Sequence, residues 1–99
     1  MGRSVVVCVD DENIILKSLQ AELRNAIGDH HIIEIAESGE EAIELIEEYL
    51  EDNYQVPVVI CDYIMPQMKG DEALKRIHQI SPQTLKIMLT GQSSLEGIS

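Results

Sequence analysis

Two groups of carboxylates stand directly after apolar runs. Val5-Val6-Val7-Cys8-Val9 leads into Asp10-Asp11-Glu12, and Val58-Val59-Ile60-Cys61 leads into Asp62. Each run has the length and β-branched content of a strand buried on both faces, which places the acids at strand ends. In a parallel sheet those ends share one edge, and open α/β sheets bind ligands in the crevice outside it. At an effective dielectric of ~20, two carboxylates held ~5 Å apart repel by roughly 3 kcal/mol. Three of them gathered at one edge are strained until a divalent ion joins them. Oxygen-only ligands with few carboxylates suit Mg²⁺ better than a transition metal.

The weight given to each acid depends on its company. A lone Asp after a strand is more often a helix cap than a ligand, and for Asp11 it is the presence of Asp62 at a second strand end that favours the ligand role. Glu12 is evenly balanced between the site and the first turn of a helix, where the dipole favours an acid. By contrast Glu37, Glu40, Glu41, Glu44, Glu47, Glu48, Glu51 and Asp52 read as the solvated face of one helix.

The elements that must position these acids alternate between strand and helix. After Val5 to Val9, Ile15, Leu16, Leu19, Leu23, Ala26 and Ile27 recur at three and four, and Gly28 stops the helix. Ile32 to Ala36 reads as a second strand. Ser38 with Glu41 forms a capping box ahead of a helix striped by Ala42, Ile43, Ile46, Tyr49 and Leu50. Pro57 is expected to break the chain before the Val58 to Asp62 strand. A loop follows through Pro66 and Gly70, in which proline fixes φ and glycine permits left-handed backbone. Ala73, Leu74, Ile77 and Ile80 mark a third helix ending near Ser81-Pro82, and Leu85 to Thr90 a fourth strand. Such alternation implies parallel strands, right-handed crossovers and a three-layer α/β sandwich.

Ninety-nine residues, 44% apolar and 25% charged, suit one small domain, read here as residues 1–99. Seven basic against eighteen acidic residues give a net charge of -11, which opposes direct binding to nucleic acid. No apolar stretch approaches the roughly 20 residues of a membrane span. Cys8 and Cys61 lie inside apolar runs and read as buried thiols of a reducing, cytoplasmic protein. The three histidines have no acid or cysteine at ligand spacing, and a surface role is expected for them.

Val9-Asp10-Asp11-Glu12, Cys61-Asp62-Tyr63-Ile64-Met65-Pro66-Gln67-Met68-Lys69-Gly70 and Met88-Leu89-Thr90-Gly91 resemble, in order and spacing, the receiver domain of two-component response regulators. The resemblance runs along nearly the whole chain. It implies the flavodoxin-like 2-1-3-4-5 strand order, for which a chemotaxis receiver is a standard example. It also implies that Asp62 takes a phosphoryl group from a phosphohistidine or a small acyl phosphate. Asp11 and Asp62 would then ligate Mg²⁺ directly, Asp10 would act mainly through a water, and the backbone carbonyl of Ile64 would complete the protein ligands. Thr90 would hydrogen-bond a phosphoryl oxygen. The partner implied is a sensor histidine kinase or phosphotransfer protein.

The same likeness leads to an expectation of incompleteness, with order 2-1-3-4 and the fifth strand and last helix absent. Receivers carry a lysine and an aromatic switch residue on that fifth strand, and neither is present here. Strand four is then an open edge, and a dimer or element-swapped oligomer is expected. Two other functional readings remain. One is a receiver-like interaction module that is not phosphorylated. The other is an aspartyl-nucleophile phosphohydrolase, which is disfavoured because Ile64 stands where a second acid would handle the leaving group.

Overall fold

The computed structural model describes residues 3–89. It contains β1 (Ser4–Val9), α1 (Asn13–Ile27), a 3-10 turn at Gly28–His30, β2 (Ile32–Ala36), α2 (Gly39–Glu51), β3 (Gln55–Asp62), α3 (Gly70–Ile80) and β4 (Leu85–Leu89). The strands form one parallel sheet in the order β2-β1-β3-β4, the flavodoxin-like arrangement expected from the sequence. Thr90, expected to end the fourth strand, lies outside the described residues.

Side chains alternate across the sheet and divide the core in two. Val5, Val7, Val9, Val59 and Cys61 face α2 and α3, where Ala42, Ile46, Ala73 and Ile77 close the larger core. Cys8, Leu16 and Ile33 form the smaller core under α1. Both cysteines are fully buried, and burial pushes the Cys8 thiol up to about 11 and the Cys61 thiol up to about 12. They are free thiols, as read from their apolar runs. On α1 the buried stripe is narrower than its periodicity suggests, since Ile15 and Ala26 are exposed and only Leu16 is fully covered. On β4, Leu85 is 61% exposed and Ile87, Met88 and Leu89 are also open.

Helix ends follow local chemistry. Gly28 takes φ +70°, and its N–H donates to the Arg24 carbonyl, closing α1. At α2 the Ser38 hydroxyl accepts from the Glu41 N–H at 3.1 Å, half of the expected capping box. The return bond comes from one residue earlier, with Glu41 Oε1 accepting from the Glu37 N–H. All eight acids assigned to a solvated face are exposed, six of them on α2 and Glu37 and Asp52 flanking it.

Three expectations are corrected. Pro57 does not precede β3 but lies inside it. The β1 register passes from Ser4↔Gln55 to Val6↔Val58, and pairing with β4 begins only at Val58, so neither ladder calls on the missing N–H. His31 is half-buried and hydrogen-bonds through Nδ1 with Ser4, tying the start of β2 to the start of β1. Finally, in the loop before α3 the left-handed residue is Gln67, at φ +69°, and Gly70 serves another need.

That need is space. A Cβ on Gly70 would lie 2.4 Å from the Asp62 carbonyl oxygen and 2.8 Å from the Tyr63 Cα, both backbone atoms. Gly70 N–H donates to the Tyr63 carbonyl at 3.0 Å, so the start of α3 is seated on the end of β3. Gly39 is crowded too, but by side-chain atoms rather than backbone, the pliable Met68 thioether at 2.7 Å and the Ala73 Cβ at 3.0 Å. Gly70→Ala should therefore cost about 2–3 kcal/mol and Gly39→Ala about 1 kcal/mol. Urea unfolding of the two variants checks the ranking, and equal costs would contradict it.

Candidate functional site

The β1–β3 ladder builds the site. Val9 pairs with Cys61, so the next residues on the two strands, Asp10 and Asp62, leave the sheet side by side. Asp10 stays tied to the sheet edge by its N–H, which donates to the Ala36 carbonyl at 3.1 Å. Its carboxylate is also fixed, because Oδ1 accepts from the Glu12 N–H at 2.9 Å. Asp11 is the exposed apex of this turn, and α1 begins two residues later. Asp62 ends β3, paired with Leu89 of β4.

Three carboxylate oxygens, one each from Asp10, Asp11 and Asp62, lie within 4.8 Å of one another. Asp10 is 7% exposed, Asp62 is half-buried and Asp11 is open to solvent. Burial is the first cause that raises the Asp10 carboxyl above its usual range, and the charges of Asp62 and Asp11 add to it against the Glu12 N–H. Asp62 is raised likewise by burial and then by Asp11, with Glu12 a smaller repulsive neighbour and the Tyr63 N–H opposing them.

The donor set matches a small hard cation. Oxygen ligands on an ion with bonds of ~2.1 Å stand at most about 4.2 Å apart, and the three oxygens, within 4.8 Å of one another, need only a small inward movement to meet that limit. Exposed Asp11 is free to close the remainder. Glu12, left evenly balanced by its sequence position, is the N-cap residue of α1. It contributes a backbone N–H to Asp10 and a charge near Asp62, and its carbonyl accepts the Leu16 N–H at 3.1 Å. Ile64 follows in the β3–α3 loop with its side chain 56% exposed.

The sequence places Lys69 in the loop before Gly70, at a position from which it could approach the acidic pocket. It is the N-cap residue of α3, and its Nζ lies 5.9 Å from the centre of the Tyr63 ring, next to Asp62 in the chain. The nearest clue was its position directly before Gly70. What the sequence did not show is that Gly70 packs on the Asp62 backbone.

Comparison with known proteins agrees with this geometry. Residues 6–98 match the family model described as the response regulator receiver domain. The transcriptional regulatory protein ZraR of Escherichia coli K12 is 33% identical over 91 residues, 92% of this chain but 19% of that protein. The chain thus spans about a fifth of the length of that curated relative. A signal receiver domain of an HD domain-containing protein from Pseudomonas fluorescens Pf-5 is 32% identical with a TM-score of 0.75, covering 99% of this chain and 66% of that one. The CheX–CheY–BeF3–Mg²⁺ complex from Borrelia burgdorferi matches at 30% identity and a TM-score of 0.70, covering 85% of this chain and 59% of that one. With the sheet order, the acidic strand ends and these matches in agreement, the chain belongs to the response regulator receiver domain family.

Proposed function

We propose that this receiver is the phosphoacceptor of a two-component phosphorelay and that Asp62 takes the phosphoryl group. The observation that carries the reading is the convergence of the Asp10, Asp11 and Asp62 carboxylates at the carboxyl edge of a parallel sheet. In the step, an Asp62 carboxylate oxygen attacks phosphorus. The P–N bond of a phosphohistidine or the P–O bond of an acyl phosphate breaks, and its electron pair departs with the imidazole or the carboxylate. Asp62 attacks as the anion and has no proton to lose, so its half-buried position matters for orientation rather than for general base chemistry.

Mg²⁺ fits the donor set and, when bound, supplies positive charge against the phosphoryl oxygens. It would be held by Asp11 and Asp62 directly, by Asp10 through a water, and by the Ile64 carbonyl. Asp10, fixed by the Glu12 N–H, orients the pocket, and Asp11 has the freedom to close it. A relative's solved complex contains both BeF3 and Mg²⁺, which supports the same pairing here. Thr90, which follows the register partner of Asp62 in sequence, is proposed to hydrogen-bond a phosphoryl oxygen. The donor is proposed to be a sensor histidine kinase or phosphotransfer protein in a cytoplasmic setting. No helix among the described residues is long and apolar enough to cross a membrane.

The test is the intact mass of the chain after incubation with Mg²⁺ and acetyl phosphate, beside a chelated control and Asp62→Asn. One phosphoryl group is expected in the first sample alone. Incorporation that survives Asp62→Asn would overturn the assignment.

The raised carboxyls carry a stability consequence with a definite sign. A folded-state carboxyl above its unfolded value means the folded chain binds protons more readily. Asp10 and Asp62 therefore cost stability at neutral pH, and the cost fades as pH falls through the raised values. After solvent screening of half-exposed Asp62, Asp62→Asn should stabilise the metal-free chain by about 0.5–1 kcal/mol at pH 7. The gain should shrink as pH falls through the raised folded-state value and vanish by about pH 3, below the ordinary Asp value of ~3.9. Urea unfolding in chelator at the two pH values measures it.

Self-association is also proposed, since Leu85, Ile87 and Leu89 point from one face of β4, the edge strand among the described residues, and all three are exposed. Light scattering should show dimers or larger species that Ile87→Lys reduces. A monomer across a wide concentration range would contradict this.

A further inference from the structure

We propose that Lys69 is a phosphoryl-contacting residue of this site, held in reserve on the Tyr63 ring and carried to the phosphoryl oxygens as Asp62 is modified. The inference rests on the proposed phosphoacceptor role of Asp62. Its own evidence is the placement of the charges.

The chain has seven basic residues and a net charge of -11. Four of the seven are committed or remote. Arg3 bonds the Tyr54 hydroxyl at 3.0 Å, at the opposite end of β1 from the acids. Arg76 pairs with Glu72 at 3.1 Å. Lys86 bonds the Ser81 and Pro82 carbonyls and His78. Arg24 lies in the last turn of α1. Lys17 and Lys75 sit beyond the first turns of α1 and α3, helices that run away from the acidic edge. Lys69 alone stands in a connecting loop at that edge.

Its attachment is fixed by neighbouring backbone. Gly70 has room for no Cβ because the Asp62 carbonyl oxygen is there, and its N–H bonds the Tyr63 carbonyl at 3.0 Å. The Lys69 Cα is one peptide step, about 3.8 Å, from that contact. A four-carbon stem then gives its ammonium a reach across the Tyr63 and Asp62 strand end. In the unmodified state the ammonium rests 5.9 Å from the Tyr63 ring centre, an exposed cation–π contact of the weak kind. Phosphorylation replaces the single charge of the Asp62 carboxylate with about two on the phosphoryl oxygens, a net gain of about one negative charge beside Asp11 and Glu12. That added charge outweighs a weak hold on an aromatic face, and the ammonium is the nearby group free to answer it.

The inference is tested by the rate of Mg²⁺-dependent phosphoryl incorporation from acetyl phosphate, read by intact mass over a range of donor concentrations. Lys69→Ala should lower the rate at subsaturating donor by roughly 3- to 10-fold and raise the half-saturating concentration. Lys69→Arg should restore most of it. Lys75→Ala removes the same unit charge from the exposed side of α3 and should leave the rate within about 1.5-fold, which separates a local contact from net charge. Circular dichroism establishes that each variant is folded, and Lys69→Gln replaces Lys69→Ala if the shorter side chain disturbs the loop. Equal rates for Lys69→Ala and the unsubstituted chain, or an equal loss in Lys75→Ala, would overturn the role of Lys69 while leaving Asp62 as acceptor. No incorporation into the unsubstituted chain would overturn both.

Discussion

The parallel pairing of β1 with β3 is the constraint on which the acidic edge depends. Adjacent strands lie about 4.8 Å apart, so residues that leave two paired strands in step begin at that separation. Val9↔Cys61 puts Asp10 and Asp62 in step, and the three carboxylates fall within 4.8 Å of one another. A one-residue slip would turn Asp62 to the opposite face of the sheet, toward α2 and α3. Val5, Val7, Val9, Val59 and Cys61 tie the register to the larger core, and Cys8 ties β1 to the smaller one. Core packing and site geometry are thus one structural fact, and charge repulsion at the edge is held in place by apolar burial beneath it.

The β3–α3 loop is the second level of control. Gly70 allows α3 to start directly on the Asp62 and Tyr63 backbone, and Gln67 turns the chain through a left-handed conformation to reach it. Met65 and Met68 are buried beneath the loop, so the segment is anchored by apolar contacts although several of its residues are open to water. This anchoring gives Lys69 a defined origin beside the Tyr63 ring. The proposed roles of the acids and of Lys69 thus rest on one strand end and the loop that follows it.

Much of this was legible in the sequence because the signals were periodic or paired. The alternation of apolar runs and striped helices gave the sheet class, and β2 was placed residue for residue at Ile32–Ala36. The site acids were visible as carboxylates following apolar runs, and their closeness followed from parallel pairing. What escaped depended on contacts distant in sequence. Pro57 was read as a breaker because a register shift that removes the demand for its N–H is a property of two strands together. His31 gave no sign of Ser4, 27 residues away. Gly70 was read for its backbone freedom, whereas the structure uses its missing Cβ, and only the approach of Asp62 reveals that.

The central claim is that three carboxylates are held together by the fold against their own repulsion and form a divalent cation site. The most direct measurement is thermal unfolding at neutral pH as Mg²⁺ is titrated into the chelated chain, beside Asp11→Asn. Asp11 is the exposed member, so its loss leaves the core intact. A saturating rise in Tm for the unsubstituted chain, reduced or abolished in Asp11→Asn, is the predicted result. A Tm that does not move with Mg²⁺, or that moves equally in both, would contradict the account.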